Sequence, residues 1–189
     1  MPVKFDPTQK ELLLSSQRRQ DLDPHRLISL IPILPYHQVA DIGCGPGFFT
    51  IPLAKYLFDG KVYALDVQEE MLDAARDAVG SIHLTNVEVK LSEENKLPLE
   101  DDSLDGAVMA FVLQEARSPK ALLEEAMRCL RKSAWLVILE WQKRQMDEGP
   151  PLKQRIDEGK MRTMTDKAGF RLGAQRSING KQYMTLVRK

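Results

Sequence analysis

The stretch Val39-Ala40-Asp41-Ile42-Gly43-Cys44-Gly45-Pro46-Gly47-Phe48-Phe49-Thr50 decides how the rest of this chain is read. A short apolar run ends in an aspartate, Gly43, Gly45 and Gly47 alternate with other residues, and an amphipathic segment from Phe48 to Phe58 follows at once. That order reads as strand, tight glycine turn, helix. Glycine serves where a backbone takes unusual dihedrals or where a ligand comes close. The helix behind the turn begins with unpaired N–H groups. The loop is built to hold a ligand against bare backbone, with a carboxylate beside it.

Two phosphate-binding patterns fail here. A dinucleotide fingerprint needs G-x-G-x-x-G, and Phe48 stands where its third glycine belongs. A P-loop ends in G-K-S/T, which is absent. An aspartate two residues before the first glycine also suits a pyrophosphate poorly, since like charges repel. It suits a cation or a ligand amine.

Outward from the loop, strands and helices alternate. Gln38 to Ile42 is strand one, and the helix after the loop tolerates Pro52 in its first turn and closes at Gly60. Lys61 to Leu65 is strand two, ending at Asp66, and a helix from Glu69 to Val79 stops at Gly80. Val87 to Leu91 is strand three. An irregular acidic stretch then leads to strand four, Leu104 to Val112. Ser118 caps a helix from Pro119 to Leu130, and Ala134 to Leu139 is an apolar run of the kind buried in a parallel sheet. A helix from Glu158 to Ala168, capped by Asp157 and stopped by Gly169, precedes strands Phe170 to Ile178 and Gln182 to Val187. Asn179-Gly180 between them signals a two-residue hairpin. On the N-terminal side, residues 8–20 read as one helix, and Asp23-Pro24 starts another that runs to about Leu30. The expectation is a mostly parallel sheet covered on both faces, closed by an antiparallel C-terminal hairpin strand.

With 189 residues the chain is long enough for one domain, 1–189, with a sizeable core. The 27 basic side chains balance 27 acidic ones, which argues against an electrostatic grip on nucleic acid. No apolar h-region opens the chain and no apolar run reaches membrane-spanning length, so no membrane partner is expected. Cys44 and Cys129 have no ligand spacing, and His25, His37 and His83 are isolated. A reduced cytoplasmic protein without a metal site follows as the expectation.

Asp66 is the second anchor. It ends strand two about 19 residues beyond Gly47, where an acidic side chain accepts the hydroxyls of a ribose. This feature supports an adenosine ligand without choosing a reaction.

The pattern Asp41-Ile42-Gly43-Cys44-Gly45-Pro46-Gly47 resembles the first motif of class I S-adenosylmethionine-dependent methyltransferases, of the type 11 small-molecule kind. Ser92-Glu93-Glu94-Asn95-Lys96-Leu97-Pro98-Leu99 resembles the D-A-x-x-L-P loop after their third strand, with Glu93 and Glu94 in the places of aspartate and alanine. Asp102-Ser103-Leu104-Asp105-Gly106 resembles their run into strand four. Arg18-Arg19…Leu22-Asp23-Pro24 and Gly149-Pro150-Pro151-Leu152 extend the likeness over nearly the whole chain. The resemblance implies a Rossmann-like, doubly wound, seven-stranded α/β sheet with residues 1–36 as a helical lid. It implies S-adenosylmethionine as cofactor, held by Asp41, Gly43, Cys44, Gly45, Pro46 and Gly47 at its amino-acid end. Asp66 and Val67 would meet the ribose and adenine, with Met71, Glu93 and Glu94 beside the adenine and Ala110 and Phe111 beside the methionine part. A small-molecule acceptor is implied. The histidine pair that many relatives carry near Gln114-Glu115 is missing, so Glu115, Glu140 and His25 are the candidates for a base or an acceptor contact. A nicotinamide oxidoreductase and a non-catalytic adenosine-binding module remain the alternatives.

Overall fold

The computed structural model describes residues 5–189. Strands occupy Gln38–Ile42 (β1), Lys61–Asp66 (β2), Val87–Leu91 (β3), Leu104–Ala110 (β4), Leu130–Trp141 (β5), Arg171–Ser177 (β6) and Gln182–Arg188 (β7). They form one sheet in the order β3-β2-β1-β4-β5-β7-β6. The first five are mutually parallel, and β7 enters antiparallel between β5 and β6. Helices occupy Lys10–Leu13 (α1), Ser16–Asp21 (α2), Pro24–Ile28 (α3), Thr50–Tyr56 (α4), Glu69–Ser81 (α5), Pro119–Cys129 (α6) and Glu158–Lys167 (α7).

The alternation of side chains along a strand sorts the two cores. Val39, Val62, Val137, Leu139 and Met184 face one side, under α3 and α4. Ala40, Leu65, Leu136, Ile138 and Tyr183 face the other, under α6 and α7. The chain runs outward from β1 through β2 to β3, then crosses back to β4 on β1's other flank. The ends of β1 and β4 form the switch point where open α/β sheets bind ligands.

Several boundaries differ from the sequence expectation. Residues 8–20 are not one helix: Ser15 accepts the Arg18 N–H at 3.3 Å and caps a new one, α2. Helix α5 passes through Gly80, and the turn is made by His83 at φ 56°. Strand β4 stops at Ala110 because Phe111 takes φ 66°. Strand β5 begins at Leu130, paired with Leu104 ahead of a register shift. The final hairpin has three loop residues, since Ile178 N–H reaches Gln182 O at 2.9 Å. The Asn179 side chain accounts for the extra residue, accepting N–H groups from Lys181 (3.0 Å) and Gln182 (3.1 Å). No helix among the described residues is long and apolar enough to cross a membrane.

The fully buried Trp135 lies across β4 at Gly106, where a Cβ would sit 2.1 Å from the indole. We expect Gly106→Ala to cost about 1–3 kcal/mol through overpacking. Urea unfolding measures this, and an unchanged midpoint would contradict the packing described.

Candidate functional site

Gly43, Gly45 and Gly47 take φ values of 72°, 52° and 93°, so the loop after β1 has a course that side-chain-bearing residues avoid. At Gly43 space is also closed, because a Cβ would lie 2.4 Å from Val112 Cγ2. The loop is tied to β2: Gly43 N–H (2.7 Å) and Cys44 N–H (2.9 Å) both donate to Leu65 O, and Gly45 N–H donates to Asp66 Oδ2 at 2.9 Å. Asp66 Oδ1 accepts the Gln68 N–H at 3.0 Å, so the carboxylate holds the loop and caps the approach to α5 together. Asp41 sits beneath the loop. Thr50 Oγ1 of α4 donates to its Oδ2 at 2.6 Å, and burial pushes its pKa up to about 7.

A cavity of about 880 Å³ opens above these elements, within the range of small-molecule sites. Gly43, Cys44, Gly45, Pro46, Asp66, Val67, Met71, Glu93, Glu94, Ala110 and Phe111 line it, whereas Asp41 and Gly47 do not. The loop bearing Glu93 is shaped by its own bridge to Lys96 and by Glu125 of α6, whose Oε1 accepts the Leu97 N–H at 2.8 Å. Glu94 accepts the Arg117 N–H and pairs with that guanidinium at 3.8 Å. The spacing and the open backbone fit a long, flexible nucleoside ligand, with Asp66 in the wall.

Of the three candidates for a base, Glu115 alone lines the cavity. Its Oε2 accepts the Phe5 N–H at 3.0 Å, and Gln68 Nε2 reaches Phe5 O at 3.2 Å, so Phe5 is held in the cavity wall. His25 lies exposed on α3, where it is not part of the cavity wall. Glu140 is fully buried under the turn after β4, its Oε1 accepting the Gln114 N–H at 3.3 Å. Burial pushes its pKa up to about 8.

The far wall was not assembled by sequence reasoning. It combines Leu22 and Arg18 with Trp141, Gln182 and the 148–154 loop. Arg155 shapes that loop by donating to Pro150 O (2.8 Å), Arg144 O (2.8 Å) and Glu148 O (2.6 Å), while its guanidinium lies 5.7 Å from the Trp141 ring. Gly149, at φ 84°, packs against the same ring. The signal available in the sequence was the cluster Gly149-Pro150-Pro151 with Arg155 behind it, but only folding shows that the arginine turns inward.

The raised pKa of Glu140 has a stability consequence. A carboxyl that ionises near 4.5 in the unfolded chain and about 8 in the folded one destabilises the fold as pH rises through that window. Glu140→Gln keeps the carbonyl acceptor and removes the ionisation. Its melting temperature relative to wild type should therefore climb between about pH 5 and pH 9. A difference that stays flat across that range would contradict the burial argument.

Residues 40–138 match the methyltransferase domain family. A SAM-dependent methyltransferase from Aquifex aeolicus is 35% identical, with a TM-score of 0.94, covering 98% of this chain and 99% of that one. A demethylmenaquinone methyltransferase from Bacillus mycoides is 30% identical over 112 residues, 59% of this chain and 47% of that protein. A 37.1 kDa protein of transposon TN4556 from Streptomyces fradiae is 35% identical over 144 residues, 75% of this chain and 40% of that protein. The chain thus spans less than half the length of these curated relatives. Fold, glycine loop and comparisons agree: the chain belongs to the S-adenosylmethionine-dependent methyltransferase family.

Proposed function

We propose that this chain moves the methyl group of S-adenosylmethionine to a small, planar acceptor held in the same cavity as the cofactor. The carrying observation is the continuity of that cavity, from Asp66 and the glycine loop at one end to Trp141 and the 148–154 loop at the other. The bound sulfonium supplies an already activated methyl group. The chain's own task is then to align the acceptor behind that methyl and keep water out. Good alignment alone accounts for about 7–11 kcal/mol of barrier.

In this reading the open backbone of Gly43 to Pro46 lies along the amino-acid end, with Ala110 and Phe111 opposite. Asp66 takes the ribose hydroxyls. Val67 and Met71 flank the adenine, and Glu93 with its neighbour Glu94 borders its edge. Asp41 and Gly47 support the loop from beneath. Phe111 and Trp141, whose ring centroids are 5.9 Å apart, offer the acceptor an aromatic wall. Gln114 and Gln182 also line the cavity, each with a side-chain amide. Such amides suit an acceptor with hydroxyl or N–H groups. Glu115 is the carboxylate able to take a proton from it. The demethylmenaquinone methyltransferases among the relatives support a ring-shaped acceptor. Zero formal net charge supports a small molecule over a nucleic acid.

Donor labelled in its methyl group, incubated with a metabolite panel, with RNA and with protein, tests the reading. Label in the low-mass fraction is expected; label confined to RNA or protein would overturn it. Asp66→Ala should weaken donor binding by about tenfold or more while circular dichroism is unchanged, the scale of losing hydrogen bonds to a charged group. Unchanged affinity would remove the ribose assignment.

A further inference from the structure

Among the described residues that line the cavity, Arg18 is the cationic side chain; the other charged ones are carboxylates, from Asp66 and Glu93 at one end to Asp21 and Glu148 at the other. Its guanidinium lies 4.8 Å from the Phe48 ring and 5.4 Å from the Phe111 ring. Phe48 follows the glycine loop and Phe111 follows β4, so the two rings bracket the point where the switch-point elements meet. Nε is shut off from water and has no hydrogen-bond partner. No ion pair joins the guanidinium to a described carboxylate; Glu115 and Asp41 act on it as charges at a distance, opposing a desolvation that pulls its pKa down to about 10. A desolvated guanidinium with no paired carboxylate is costly unless an acceptor arrives at its outer nitrogens. Its planar fork matches a carboxylate.

The cofactor carries two cationic centres, sulfonium and ammonium, and one carboxylate. Acidic walls suit the first two. The carboxylate needs a cation, and Arg18 stands where the amino-acid end would lie. We propose that Arg18 anchors the carboxylate of the cofactor's methionine end, and that this contact fastens α2 over the acceptor compartment when the cofactor binds. The proposal rests on the reading given under Proposed function.

The second half follows from what α2 carries. Arg18 and Asp21 lie on the same short helix. Asp21 receives Lys181 Nζ at 3.2 Å, and Lys181 also pairs with Glu148 at 2.9 Å. The Asn179 amide donates to Asp21 O. The helix is therefore attached to the 148–154 loop and the β6–β7 hairpin, both on the acceptor side. A ligand carboxylate on Arg18 adds the missing attachment on the cofactor side, so the donor should bind first and complete the acceptor wall.

The test compares S-adenosylmethionine with its decarboxylated form in calorimetric titrations of wild type, Arg18→Met and Arg18→Lys. Wild type should prefer the intact cofactor by about tenfold or more, the scale of a charge-assisted pair. Arg18→Met should erase most of that preference and bind the decarboxylated form nearly as wild type does; Arg18→Lys should keep part of it. Hydrogen exchange on wild type gives a second readout that needs no variant: the intact cofactor should slow exchange in residues 16–21, and the decarboxylated form should not. Equal binding of the two ligands by wild type would overturn the proposal. So would a preference that survives in Arg18→Met, or a loss there that is the same for both ligands. Failure of wild type to bind either ligand would instead overturn the cofactor cavity itself.

Discussion

The carboxylate of Asp66 is the constraint on which the rest of the site depends. One oxygen holds the Gly45 N–H and the other holds the Gln68 N–H, so the loop after β1 and the start of α5 are fixed to the end of β2 through a single group. The Leu65 carbonyl, receiving Gly43 and Cys44, reinforces the same junction. Parallel pairing of β1 with β2 sets the register that brings Ile42 level with Leu65. A slip of one residue would turn Asp66 to the other face of the sheet and release the loop. Fold and site are therefore one problem here: the pairing that buries the core also fixes the glycine loop along the cavity.

In the reading proposed above, the site divides its labour by polarity. The cofactor end is backbone, carboxylates and small residues, suited to a flexible ligand with positive charge. The acceptor end is aromatic rings and glutamine amides on a framework held by Arg155, whose three strong bonds to loop carbonyls leave the 144–150 segment little freedom. Alkyl transfer from a sulfonium asks for alignment more than for proton relays. That requirement is met without a relay of bases, and Glu115 is the one of the three sequence candidates that lines the cavity.

Much of this was legible in the sequence because it is encoded locally. The alternation of apolar runs and helical faces yields the sheet, and the glycine spacing locates the loop. Asp66 and Glu93 stand at the ends of the next two strands, and a parallel sheet carries them to the same rim. The unreadable part is long-range. Arg18 looks like one member of a solvated Arg18-Arg19 pair, because nothing in residues 8–20 shows that Ser15 restarts the helix or that Phe48 and Phe111 wait on either side of the side chain. Gln182 is likewise an ordinary strand residue until β7 inserts beside β5 and sets it opposite Trp141. Glu140 looked like a rim carboxylate, yet the alternation along β5 turns it toward Tyr183 and beneath the β4 turn, away from the Trp141 face. The extra hairpin residue comes from the Asn179 side chain, which no turn dipeptide specifies.

The most direct test of the central claim is a crystal structure of the protein with S-adenosylmethionine bound. The account predicts both ribose hydroxyls on the Asp66 carboxylate and the amino-acid end along Gly43 to Pro46, with the methyl directed at the space between Phe111 and Trp141. A cofactor bound elsewhere, or in this cavity with its ribose away from Asp66, would contradict it.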